Sequence, residues 1–209
     1  MQAPEAPSGF EPLVEAIDQA RHAAVDRMMA ECASLGGHGV VGVRLFSGTF
    51  SDRSEFTAIG TAVRGAGTAN PPVPFTAAAS GQDFAKLITA GWVPVGLALG
   101  IAIGARHDDL MTTRQVRPWA RNAEVAGWTE LVNRVRRDAR HRMEQDVQRL
   151  GAEGVVTADM RMRVRQRDCP VTVGRHDHVV EVTFLGTAGG FLRYVADCVE
   201  SPTTALGDM

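Results

Sequence analysis

Leu35-Gly36-Gly37-His38-Gly39-Val40-Val41 returns 115 positions later as Leu150-Gly151-Ala152-Glu153-Gly154-Val155-Val156. The echo runs backward as well. Ala20, Ala24, Met28, Cys32 and Leu35 correspond at the same offset to Val135, Ala139, Met143, Val147 and Leu150, apolar at every place and spaced by four, four, four and three. That spacing marks one face of an α-helix. Forward, Glu55-Phe56-Thr57-Ala58-Ile59-Gly60-Thr61-Ala62 reappears 126 positions on as Glu181-Val182-Thr183-Phe184-Leu185-Gly186-Thr187-Ala188, so the second copy carries eleven additional residues between the two matches. The chain is a tandem of one unit.

Each unit reads as a long amphipathic helix, a glycine at its end and two strands. The helices are expected over 11–35 and 121–150, with Gly36 and Gly151 where a left-handed C-terminal residue belongs, before a Val-Val pair of strong strand preference. In the second copy, Met160 to Arg167 alternates strictly: Met160, Met162 and Val164 on one face, Arg161, Arg163, Arg165 and Arg167 on the other. A turn at Asp168-Cys169-Pro170 returns the chain through Val171 to Gly186 as an antiparallel hairpin, which the extra residues lengthen.

Between the copies, Gly65 to Pro72 has the composition of a surface linker, and Ser80-Gly81-Gln82-Asp83 resembles a capping box opening a short helix that stops at Gly91. From Val95 to Ala105, Gly96, Ala98, Gly100, Ala102 and Gly104 face one way, while Val95, Leu97, Leu99, Ile101 and Ile103 face the other. A strand with no polar face is buried on both sides, and a row of small residues admits something close. That is what a central strand or a subunit-interface strand needs, and Gly96, Gly100 and Gly104 are the expected contact with another subunit on the second reading. The fold class is α+β: tandem strand-helix-strand-strand units, antiparallel sheets each covered by a long helix. The first unit covers 1–66 with its leading strand short, missing or supplied by another chain; a linker follows over 67–79, the second unit over 80–200, and a flexible tail over 201–209.

The 209 residues carry a formal net charge of −2, 44% hydrophobic and 22% charged residues. This balance supports a buried core and gives no global case for nucleic acid, membrane or acidic substrates. Three cysteines without paired spacing, Cys32, Cys169 and Cys198, argue against a secreted disulfide framework, and the first ten residues lack a secretory series. The expected location is the cytoplasm. The longest apolar run, Trp92 to Ala105, is too short and glycine-rich to span a bilayer.

The Leu-Gly-x-x-Gly-Val-Val-Gly-Val segment at 35–43, followed by Glu-Phe-Thr-Ala-Ile-Gly-Thr-Ala-Val at 55–63, resembles the YbjQ family, labelled as heavy-metal-binding domains. The second copy matches with Thr157-Ala158 in place of Gly42-Val43 and a longer hairpin. The resemblance implies a small strand-helix-strand-strand domain similar to dodecins, a helix lying across a curved antiparallel sheet, and ring-like homo-oligomers, pentameric. The shared Gly-Val-Val core holds no ligand side chain.

Metal binding must be argued from this chain's own residues. His176 and His178 are two apart, so a strand puts them on one side, with Cys169 or Asp168 at the turn as further ligands for a divalent or heavy metal ion. His107-Asp108-Asp109 follows the buried strand as a second cation candidate, against the simpler reading of a charged exit. His38 lies in a helix-to-strand turn, and Cys32 occupies the place of Val147, a small core position. The arginine row at 161, 163, 165 and 167 offers a surface for anions or an acidic partner, but interspersed acids and missing aromatics argue against nucleic acid. No nucleophile elbow, zincin motif or cysteine with a base is present, and the sole tyrosine is Tyr194 near the end. The expected function is a non-enzymatic intracellular homo-oligomer, a scaffold forming a ring or shell in multiples of five that holds a metal or small ligand between subunits; the alternative is a heavy-metal-binding protein using His176 and His178.

Overall fold

The structure is a computed structural model that describes residues 9–50, 53–67, 73–109, 112, 115, 124–169 and 176–191. Tyr194, Cys198, the tail from Ser201 to Met209, positions 68–72 of the expected linker and 170–175 of the hairpin turn lie outside the described residues.

In chain order the elements are α1 (Glu11–Ser34), β1 (Gly39–Phe50), β2 (Arg53–Val63), β3 (Phe75–Thr76), α2 (Gly81–Thr89), β4 (Trp92–His107), α3 (Ala126–Arg149), β5 (Gly154–Asp168) and β6 (His176–Phe191). The class is α+β, with one sheet ordered β2-β1-β3 and another β4-β6-β5. The second unit is strand, helix, strand, strand, as expected, although its leading strand β4 pairs with β6 at the edge of the sheet.

The repeat extends to the backbone. α1 and α3 are both 24 residues long. Each ends in a Schellman turn: Gly36 and Gly151 adopt φ of 71° and 65°, Gly36 and Gly37 donate to Ala33 and Cys32, and Gly151 and Ala152 donate to Gln148 and Val147. The hairpins share one register. Gly39 pairs with Val63 and Gly154 with Gly189; after a bulge in β1 between Val41 and Arg44, and one in β5 between Thr157 and Asp159, pairing resumes as Arg44 with Ile59 and Asp159 with Leu185. A bulge kept at one place in both copies fixes which side chains face the core.

The copies then diverge. α3 lies over β4 and β6 of its own unit, burying Leu131, Val135, Ala139, Met143 and Val147. α1 packs against its own β1 and β2 and also against β4, so Val25, Met28 and Cys32 share one core with Val40, Val43, Leu97, Leu99 and Leu185. The second sheet is thus covered on one face by its own helix and on the other by the first unit. Leu35, expected on the apolar face of α1, is 78% exposed because the chain has already turned at Gly36. No strand precedes α1 among the described residues, and β2 has a single partner, β1. Part of the stretch expected as linker is structural: β3 runs parallel to β1, Ala77 is fully buried and donates to Val40, and the Thr76 hydroxyl accepts from the Leu97 N–H at 3.1 Å. The Ser80 hydroxyl caps α2 by accepting from the Asp83 N–H at 3.2 Å.

The small face of β4 is occupied from within the chain. A Cβ on Gly100 would stand 2.2 Å from the Ala139 carbonyl oxygen; one on Gly104 would meet Val135, and one on Gly96 would meet the tip of Leu150. The close approach expected from another subunit is made by α3, so Gly96, Gly100 and Gly104 are buried within the protomer and closed to a second copy.

Two polar groups lock the units together. Arg21 of α1 is buried and donates to the carbonyls of Gly100 and Phe184 at 3.1 and 3.0 Å; loss of water holds its guanidinium below the ordinary value. Its neighbour His22 donates through Nε2 to Asp146 of α3 at 3.0 Å and through Nδ1 to the Asp18 carbonyl at 2.9 Å. Asp146 also accepts from the Leu99 N–H at 2.9 Å and from Arg149. The Asp146 hydrogen bond, opposed by partial burial, raises the His22 pKa above its ordinary value.

A raised histidine pKa contributes stability that is complete below the unfolded value of about 6.5 and disappears as pH rises through the higher folded value. His22→Phe is therefore expected to cost about 1–2 kcal/mol at about pH 6 and less at alkaline pH. Urea titrations of parent and variant across that range check this, and a constant difference would remove His22 from the account. Gly100→Ala is expected to cost about 2–3 kcal/mol, since helix backbone opposes the methyl, and Gly96→Ala under about 1 kcal/mol, since the Leu150 side chain can move. Equal costs in thermal unfolding would contradict this packing.

Candidate functional site

β5 differs from the other long strand of its unit that lies at the sheet edge, because from Met160 onward neither of its faces is packed over. α3 stops over β4 and β6, leaving Met160, Met162 and Val164 between 44% and 56% exposed on that side. On the opposite side, Arg161, Arg163, Arg165 and Arg167 are all exposed and line an open cleft of about 320 Å³. Its other walls come from α1 (Leu13, Ile17, Arg21) and from the β1-β2 hairpin (Phe46, Phe56). Asp159 and Glu181 reach the same space, and Arg161 donates to Asp159 at 2.7 Å. Among the described residues the outer edge of β5 has no partner strand. The alternation legible in the sequence is thus realised, with the arginines facing a cleft between the units.

The far end of this sheet gathers the metal candidates, in a different grouping from the expected one. His176 and His178 do share a face of β6, the α3 side. His178 is buried there, 3.2 Å from Asp108, with its ring 4.5 Å from that of Trp128; His176 Nδ1 lies 3.1 Å from Asp168 without hydrogen-bond alignment. With Cys169 they form no group of three potential ligands among the described residues. Alternation places Asp177 on the other face, directly across from His107 of β4, whose Nδ1 is 2.6 Å from Asp177 Oδ1. Cys169, just past β5, falls on this same face, and ligand atoms of His107, Cys169 and Asp177 all lie within 4.8 Å of one another. Among the described residues this is the group of three potential ligands. Asp177 was missed because its role depends on the β4-β6 register, which no motif spells out. His38 accepts from the Gly65 N–H at 3.2 Å, and Cys32 is a buried core residue as expected.

No helix among the described residues is long and apolar enough to cross a membrane. Residues 9–66 and 97–191 each match the protein family described as "Putative heavy-metal-binding", the YbjQ family. A protein of Mycobacterium tuberculosis (strain H37Rv) named as an encapsulin nanocompartment protein is 37% identical over 156 residues, covering 69% of this chain. The match spans 58% of that protein's own length. No solved structure matches the chain.

Proposed function

Because the chain belongs to the YbjQ family, in two tandem copies, we propose that it is a non-enzymatic assembly protein, a homo-oligomeric scaffold acting in an encapsulin compartment of the kind that names its mycobacterial relative. The observation that carries this reading is β5. It is a 15-residue strand with an open edge, an uncovered apolar face and an uncovered arginine face. A long exposed edge beside apolar side chains is a template for pairing with another chain, and contiguous apolar surface of this kind marks association sites.

Covering three half-exposed aliphatic and thioether side chains contributes roughly 1 kcal/mol each, about 3 kcal/mol per strand, before any edge hydrogen bond is counted. The arginines add orientation more than affinity, since exposed ion pairs contribute about 0–1 kcal/mol each. β2 offers a second open edge, flanked by exposed Ile59 and Phe46. Two edges on one chain let copies join head to tail, and such contacts close into rings when the rotation permits. A ring or shell in multiples of five follows from the family resemblance.

Native mass spectrometry of the untagged protein is expected to show a discrete oligomer. Met160→Asp combined with Met162→Asp is expected to reduce it to smaller species while leaving the circular dichroism spectrum and melting temperature of the protomer nearly unchanged, because both side chains are exposed within it. A monomeric parent, or a double variant that assembles like the parent, would overturn the reading.

A further inference from the structure

The β4-β6 pairing brings together three side chains whose donor atoms are imidazole nitrogen, carboxylate oxygen and cysteine sulfur. His107 ends β4, Asp177 stands directly opposite it near the start of β6, and Cys169 follows the last residue of β5. All three fall on one face of the sheet by strand alternation, so the grouping follows from the register and not from a chance meeting of long side chains. None is committed to the core: His107 and Asp177 side chains are 41% and 32% exposed, and Cys169 is half-buried. This trio differs from the residues lining the β5 cleft and from the histidines on the opposite face.

We propose that His107, Cys169 and Asp177 form a binding site for a zinc-like divalent cation, one sulfur, one nitrogen and one oxygen ligand with a fourth position open to water. Thiolate and imidazole favour borderline and soft metals over calcium or magnesium, which take oxygen ligands in larger number. The ligand atoms already lie within 4.8 Å of one another. The His107–Asp177 contact must open from 2.6 Å to roughly 3.3 Å for both to bind one tetrahedral ion. Exposed side chains at the ends of strands make that adjustment by rotation. Binding converts the Cys169 thiol to a metal-bound thiolate and releases its proton to solvent; no redox step is involved. The site gives chemical content to the family's metal label without using the shared Gly-Val-Val segments. It does not depend on self-assembly, since one protomer supplies all three ligands.

Cobalt(II) titration of the full-length protein tests the proposal, because a cobalt–thiolate bond gives a charge-transfer absorption in the near ultraviolet. The parent is expected to bind one cobalt per chain with that band, and added zinc to abolish it. Cys169→Ser is expected to eliminate the band, and His107→Gln and Asp177→Asn each to weaken binding at least tenfold. His176→Gln, altering a residue on the other face, is expected to bind as the parent does. Circular dichroism and native mass of each variant show whether it remains folded and assembled. A parent without the thiolate band overturns the site, as does a band that survives Cys169→Ser. Binding lost in His176→Gln, or unchanged in both His107→Gln and Asp177→Asn, also overturns it.

Discussion

Asp146 sits with 6% of its surface exposed between two long helices that come from different copies of the repeat, and it accepts from three donors there. An ionised carboxylate taken out of water is costly unless its oxygens are satisfied, and stranding it by removing a partner is worse. Here one donor is His22 on α1, another is the Leu99 N–H of β4, and the third is Arg149 one turn along α3. Detaching the first unit would leave Asp146 short of an imidazole and would also uncover Leu97 and Leu99, which share their core with Val25, Met28 and Cys32. Arg21 strengthens the coupling from the other side by satisfying carbonyls of β4 and β6. The charged lock and the shared core act at the same interface.

The tandem is symmetric locally and asymmetric where the copies meet. Local symmetry was legible because it depends on nearest neighbours: Gly36 and Gly151 end helices by the same left-handed turn, and the Val-Val pairs enter strands of the same register. The meeting of the copies was not legible because it depends on which polar residues escape the pattern. Asp146 corresponds to Glu31, and Arg21 and His22 to Arg136 and Arg137; Glu31, Arg136 and Arg137 are exposed. Nothing local distinguishes Asp146 from Glu31, since the decision is made by a helix 115 positions away. β4 teaches the same lesson. Its two apolar faces announced burial, but its glycines do not say whether the incoming body is a helix of the same chain or another subunit. The carbonyl of Ala139 supplies that answer.

The candidate sites divide along the same line. Alternation within β5 was readable directly, so the arginine row and the methionine face stand where expected. Alternation within β6 was readable too, and it grouped His176 with His178. Coordination needs a partner from a neighbouring strand, however, and the register of β4 against β6 assigned Asp177, the residue between them, to His107. His178 instead became part of a packed corner with Trp128 and Asp108.

The covalent joining of two unlike copies has an arithmetic consequence for any larger object built from this chain. Because α1 covers the sheet of the other unit, a chain enters an assembly as an indivisible pair, and the number of repeat units in any closed particle is always even. Any number of these chains brings twice that number of domains, half of them with a full three-stranded β4-β6-β5 sheet and half with no leading strand among the described residues. The tandem thereby imposes two kinds of domain on any shape that identical domains would make uniform.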